Sequence, residues 1–158
     1  MTNEVKQVFG ASPTTVISLA AALANAAWTY SGLSGCTMVT LDNSTLLYPR
    51  AQAVLDVPDT FSAAPTDNSV IELWMTPQDV DGANDVIPPP DSAGIKQAEQ
   101  VGVFRLTAFD VQQRTRCLFS MEGVKAATFA ILNRSGVSTS YSTNPLTVKV
   151  TLLSQAPT

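Results

Sequence analysis

Runs of strict two-residue alternation recur from the middle of the chain to its end, each closed off by glycine, proline or asparagine. Ala51, Ala53, Leu55 and Val57 alternate with Gln52 and Asp56. Ile71, Leu73 and Met75 alternate with Val70, Glu72 and Trp74; Val101 and Val103 alternate with Phe104 and Leu106. Val124, Ala126, Thr128, Ala130 and Leu132 alternate with Lys125, Ala127, Phe129 and Ile131, and Leu146, Val148, Val150 and Leu152 with Thr147, Lys149 and Thr151. A strand sends successive side chains to opposite faces, so this period describes extended segments with one face buried. Between them lie Pro58-Asp59, Ala64 to Asn68, Asp81-Gly82, Pro88 to Pro90, Ser135-Gly136 and Asn144-Pro145, all turn-forming chemistry. The expectation is an all-β fold: an antiparallel β-sandwich or jelly roll of about eight strands, the first near Thr15 and another near Thr37.

One segment competes with that reading. Ser12-Pro13 ahead of an alanine-rich run resembles a capped helix start, which would place Val16, Leu19, Ala20 and Leu23 on one face. Thr14, Thr15, Val16 and Ile17 favour a strand instead, so a strand over 14–19 followed by a bend or short helical turn is expected. Residues 1–13 read as an N-terminal arm ahead of a sandwich domain over 14–158. So short a peptide cannot bury Val5, Val8 and Phe9 by itself, which implies that the arm packs on something else. The stretch 77–99, with its triple proline, is long for a sandwich loop, and long loops are commonly functional.

Composition narrows the chemistry. The 158 residues are enough for one domain with its own core. Only 14% are charged, against a typical ~25%, and the surface is expected to be made of small neutral polar groups that are inexpensive to dehydrate against partners. The net charge of −4, with no basic run, disfavours nucleic acid. There is no histidine, which removes the commonest general base, the imidazole-dependent triads and most zinc and iron sites; the chain is not expected to be an enzyme or to hold a cofactor. No apolar run approaches the ~20 residues of a membrane span. Ser18 to Trp28 mimics a secretory signal, but Glu4 stands beside Lys6 ahead of it, so a protein used without export is expected.

Each candidate site has a plainer explanation. In Pro77 to Asp85 the glycine follows Asp81 directly and no late acid follows, so the calcium-loop spacing fails and a turn at Asp81-Gly82 reads better. The acid pairs Asp79/Asp81 and Asp56/Asp59 would need a cleft to perform glycoside hydrolysis. Trp28, Tyr30, Tyr48, Trp74 and Tyr141 offer stacking surfaces for sugars, yet Trp74 in mid-strand reads as packing. Asn43-Ser44-Thr45 and Asn133-Arg134-Ser135 match glycosylation sequons that an unexported protein would not use. Cys36 and Cys117 lack CxxC spacing and read as buried free thiols, with nothing demanding a disulfide.

The order of SLAAALANAAW, LDNSTLLYPRAQAVLDV, VIELWMTPQDVDGAND, VGVFRLTA and ATFAILNRSGVSTSYSTNPLTVKV resembles small β-sandwich virion proteins of tailed bacteriophages, over roughly residues 14–153. The shared pattern is an alanine-rich start, a Tyr-Pro-x-Ala strand, a strand ending in an Asp-Gly loop, and an Asn-Arg-Ser-Gly turn between two long strands. The longer 77–99 loop departs from it. The resemblance implies a structural role, as a capsid decoration or cement protein or a tail, neck or fibre-associated protein. It implies a homo-oligomer, commonly a trimer, assembled in the host cytoplasm and held in the virion, with the major capsid protein or other virion proteins as partners. It carries over no catalytic residue. The expected partner contacts are Val5, Val8 and Phe9 of the arm and Ile87, Pro88, Pro89, Pro90 and Ile95 of the long loop, whose fixed φ angles lower the entropy lost on docking. A carbohydrate-binding module is the more distant alternative.

Overall fold

In the computed structural model, which describes residues 6–10, 12–66, 68–78, 90–94, 98–140 and 143–156, the alternating segments become the strands of two antiparallel sheets. In chain order the strands are β1 (Lys6–Phe9), β2 (Thr14–Leu19), β3 (Cys36–Met38), β4 (Leu41–Asp42), β5 (Arg50–Val57), β6 (Val70–Gln78), β7 (Glu99–Arg105), β8 (Gln113–Ser120), β9 (Ala126–Arg134) and β10 (Leu146–Ala156). The first sheet runs β3-β2-β10-β5-β8, with β1 also on β10; the second runs β4-β9-β6-β7. The all-β sandwich expected from periodicity is the fold. Beyond the five alternating segments and the strands expected near Thr15 and Thr37 it has β8, whose Thr115, Cys117 and Phe119 share one face, together with β1 and the two-residue β4, neither of which carries a period long enough to read.

The inward faces are those that the alternation marked. Ala51, Ala53 and Leu55 of β5, Ile71 and Leu73 of β6, Phe129 and Ile131 of β9, and Val148 of β10 are fully buried in one cluster. Each large aliphatic or aromatic side chain withdrawn from water there contributes about 1.5–3 kcal/mol, which is what holds the two sheets together. Phe119 and Phe129 meet edge to face, with centroids 5.8 Å apart, and so tie β8 of one sheet to β9 of the other.

β10 lies in the middle of the first sheet. On one side it pairs with β5 from Thr147↔Asp56 to Leu153↔Arg50. On the other side it pairs first with β2 and then with β1, which reaches from Phe9↔Leu153 to Lys6↔Ala156. Residues 6–9 are therefore a strand of the sandwich and not a free peptide. Between β1 and β2 the Gly10 amide still donates to the Leu152 carbonyl at 2.9 Å, whereas Pro13 has no amide to give. A register shift at Val148/Lys149 turns both Val16 and Ile17 of β2 into the core.

After β2 the alanine-rich segment forms no helix. Ala26 takes a left-handed conformation (φ 61°), and the following residues lie along β9: the Ala26 amide donates to Asn133, the Asn133 amide to Ala27, and the Thr29 amide to Ile131. Val16, Leu19 and Leu23 are buried, as a helical face would also have required, but Ala20 of that face is exposed and Ile17 is buried in its place, the pattern of a strand followed by a bend.

Two outward-facing sets depart from simple alternation. Thr76, Ala130 and Leu132 face away from the first sheet, yet all are buried. Trp28, opposite Leu132, donates its indole N–H to the Asp91 carbonyl at 2.9 Å, which holds the 90–94 turn on that side of the molecule. Thr151 and Leu153 are likewise buried on the outer side of the first sheet.

Candidate interaction surface

Three buried amide side chains organise the loops, and none was legible as a site in the sequence. Asn133, fully buried at the end of β9, donates to the carbonyls of Leu23 (2.9 Å) and Val137 (2.8 Å) and accepts from the amide and hydroxyl of Ser135. Asn43 donates to the carbonyls of Tyr48 (3.0 Å) and Val124 (2.8 Å) and accepts from the Tyr48 amide at 2.8 Å. Gln113, at the start of β8, accepts from the Thr107 amide (2.8 Å) and donates to the carbonyls of Thr107 and Phe109, both at 3.0 Å. Both sequon asparagines thus serve as internal clasps. Burying an amide is tolerable only when its hydrogen bonds are made, and these are made chiefly to the backbone of the loops.

Two of these clasps turn their loops inside out. In the β7–β8 loop, Gln113 holds the backbone from within and the Asp110 carboxylate accepts from the Phe61 amide at 2.7 Å. Leu106 packs into the core, but two of the loop's apolar side chains are left outside: Phe109 is 68% exposed and Val111 50%. In the β4–β5 loop, Asn43 holds the backbone of Tyr48, while Leu46 is 66% and Leu47 52% exposed. Leu47 has a left-handed backbone (φ 49°), a conformation that costs a non-glycine residue roughly 1–2 kcal/mol and persists only where its surroundings enforce it.

The two displays stand at opposite ends of the same strand pair. β5 begins just after Leu46 and Leu47, and β8 begins just after Phe109 and Val111. The register from Arg50↔Ser120 to Val57↔Gln113 sets those two beginnings at opposite ends of the ladder. At ~3.3 Å per residue the ends are about 25 Å apart. At the Arg50 end, Pro49, Arg50, Leu118, Phe119, Ser120 and Glu122 line a depression of about 500 Å³, with Leu118 56% exposed. At the Gln113 end, Arg105 and Arg114 flank a depression of about 380 Å³ at the foot of the Phe109 loop.

A third feature lies on the far edge of the second sheet. Ala22, Leu23, Ala24, Ala27, Trp28, Tyr30, Leu33 and Ser92 line a largely apolar cleft of about 370 Å³.

Of the contacts expected from sequence, Val5, Ile87, Pro88, Pro89 and Ile95 lie outside the described residues. Val8 and Phe9 lie on β1 opposite Ser154 and Leu153, and Pro90 is buried. The Asp79–Asp85 loop and Tyr141 also lie outside the described residues. Asp56 projects from the outer face of β5 between Thr147 and Arg114. Trp74 is half-buried on the outer face of the second sheet and donates to Glu72 at 2.9 Å.

Cys36 and Cys117 are free thiols, both half-buried. Burial pushes the Cys117 thiol up to about 11; it also raises that of Cys36, partly offset by a hydrogen bond to the backbone of Tyr30. Sγ of Cys117 fills the space above Gly102, where a Cβ would stand 2.6 Å from it.

No family model matches the chain, and no curated protein matches it in sequence.

Proposed function

We propose that this protein is a structural component of a tailed-bacteriophage particle, a capsid decoration or cement protein that binds neighbouring virion subunits together. The observation that carries the reading is the pair of clasped loops at opposite ends of β5 and β8, each with polar groups turned inward and large apolar side chains turned out. Exposed apolar side chains cost solubility, and here internal hydrogen bonds hold them outward. Such preorganisation spares a protein interface the entropy of ordering its contacts, and aromatic residues with neighbouring arginines are the usual anchors. Two such ends about 25 Å apart fit a molecule that bridges subunits, each contact needing about 1,000 Å² in total. The resemblance in the order of strands and turns supports a phage particle as the assembly.

The test is stoichiometry in purified particles of the phage encoding the chain, read by gel densitometry against the major capsid band. Decoration predicts copies comparable in number with the capsid protein, and decorated particles that withstand more heat than undecorated ones. A handful of copies would move the protein to the tail, neck or fibres. Its absence from washed particles would overturn a virion role.

A further inference from the structure

We infer that the N-terminal strand β1 is the latch of the Leu46–Leu47 display, with Gly10 and Tyr48 as the positioning residues that join the two: seating the strand fixes the leucines, and gripping the leucines seats the strand. The coupling stands on geometry alone; its use, to make attachment depend on a seated strand, rests on the virion reading.

Gly10 is held on both sides. Its amide donates to the Leu152 carbonyl at 2.9 Å, where the β1–β10 ladder ends, and its carbonyl accepts from the Tyr48 hydroxyl at 2.8 Å. Tyr48 is gripped in turn at its own backbone by Asn43, whose side chain accepts from the Tyr48 amide at 2.8 Å and donates to the Tyr48 carbonyl at 3.0 Å. The neighbouring Leu47, the residue forced to φ 49°, donates its amide to the Asn43 carbonyl at 3.1 Å. A continuous chain of hydrogen bonds therefore runs from β10 through Gly10 and Tyr48 to the strained leucine.

The joint is also closed sterically. A Cβ on Gly10 would overlap the Tyr48 ring, so strand and ring occupy their places together only with glycine there. Gly10 does not have the left-handed backbone that would otherwise explain a glycine, so the ring is the reason for it. Leu47 in turn keeps its unfavourable backbone only while its surroundings enforce it, and Tyr48 is the nearest of those surroundings. β1 holds β10 by four residue pairs at the edge of the sheet, so it can open far more readily than the core. The β7–β8 display differs: its described bonds run within 107–113 and to Phe61, and none of them reaches a terminal strand.

The test is amide hydrogen exchange on the full chain, read residue by residue by NMR. The Leu47 and Tyr48 amides report the display, the Gly10 amide reports the seated strand, and the Thr107 amide, bonded to Gln113, is the control. Gly10→Ala is expected to speed exchange at Leu47 and Tyr48 about tenfold or more while leaving Thr107 unchanged. Coupling between two sites is reciprocal, so Asn43→Ala should speed the Gly10 amide by about the same factor. Gln113→Ala, which removes the other clasp, should not, and this separates a joint from a general loss of stability. Tyr48→Phe keeps the ring and loses only the hydroxyl, so it should speed all three reporters about threefold. Display amides unmoved by Gly10→Ala, a Gly10 amide that answers Gln113→Ala as strongly as Asn43→Ala, a Thr107 amide that speeds up with the display, or wild-type rates in Tyr48→Phe would each overturn the latch. Attachment to capsids is measured separately. Coupled amides in a protein that never binds particles refute the virion role and leave the latch standing; uncoupled amides in one that does bind refute the latch and leave the role standing.

Discussion

The β4–β5 and β7–β8 loops use the same device at opposite ends of the molecule, but they use it under different strain. Each is held from inside by one buried amide, Asn43 or Gln113, and each shows two apolar side chains to solvent. The β7–β8 loop does so with no residue in the left-handed region, whereas the β4–β5 loop forces Leu47 into it. The difference indicates that Leu47 is placed where it is for its side chain, since glycine would occupy that backbone more readily. A loop kept only for connection would not be expected to retain a leucine there.

The largest effect should come from removing the clasps. Asn43→Ala and Gln113→Ala each strand buried backbone partners, and each should cost about 2–3 kcal/mol in urea unfolding. Because the sites lie far apart along β5 and β8, the double variant should lose the sum to within about 0.5 kcal/mol. A large departure from additivity would show that the two ends are not independent displays.

Leu47→Gly should sharpen the contrast. Relief of the left-handed strain and the greater freedom of glycine in the unfolded chain nearly cancel, so stability should change by less than about 1 kcal/mol. Attachment to capsids should nevertheless fall, because the exposed leucine is gone. An unchanged attachment isotherm would remove the β4–β5 loop from the contact.

The smallest effect belongs to the middle of β8, between the two ends. Cys117 has a folded-state pKa raised to about 11 from an ordinary 9.0 by burial. A raised value means that the unfolded chain loses its proton first, so the contribution is complete below pH 9 and declines as pH climbs toward 11. Thermal unfolding across that window should show a shallow alkaline loss that Cys117→Ser reduces. An equal slope in both proteins would assign the loss to other groups.

Hydrophobic alternation made the inward faces of β5, β6, β9 and β10 legible, because burial on one side of a sheet follows a period of two. The amide clasps stayed hidden for the same reason. Gln113 and Asn133 are polar residues on the inward phase of β8 and β9 and Asn43 lies in a loop, and only three-dimensional proximity to loop backbone reveals their role. Asn43 and Asn133 even carried a competing sequon reading. β1 was invisible as a strand because four residues carry too short a pattern, and its partner lies at the opposite end of the sequence. The displays were not legible because sequence marks Leu46, Leu47, Phe109 and Val111 as apolar, not as turned outward.

The register between β5 and β8 has a mechanical corollary. A tug entering through Leu46–Leu47 and leaving through Phe109–Val111 grips these neighbouring strands at opposite extremities. It slides one along the other, so all the rungs between Arg50↔Ser120 and Val57↔Gln113 bear the load at once. A tug applied to Lys6 and Ala156, which sit side by side, would instead peel β1 from β10 one rung at a time. The same sandwich is therefore stiff along the line joining its two greasy tips and weak at the place where the chain enters and leaves.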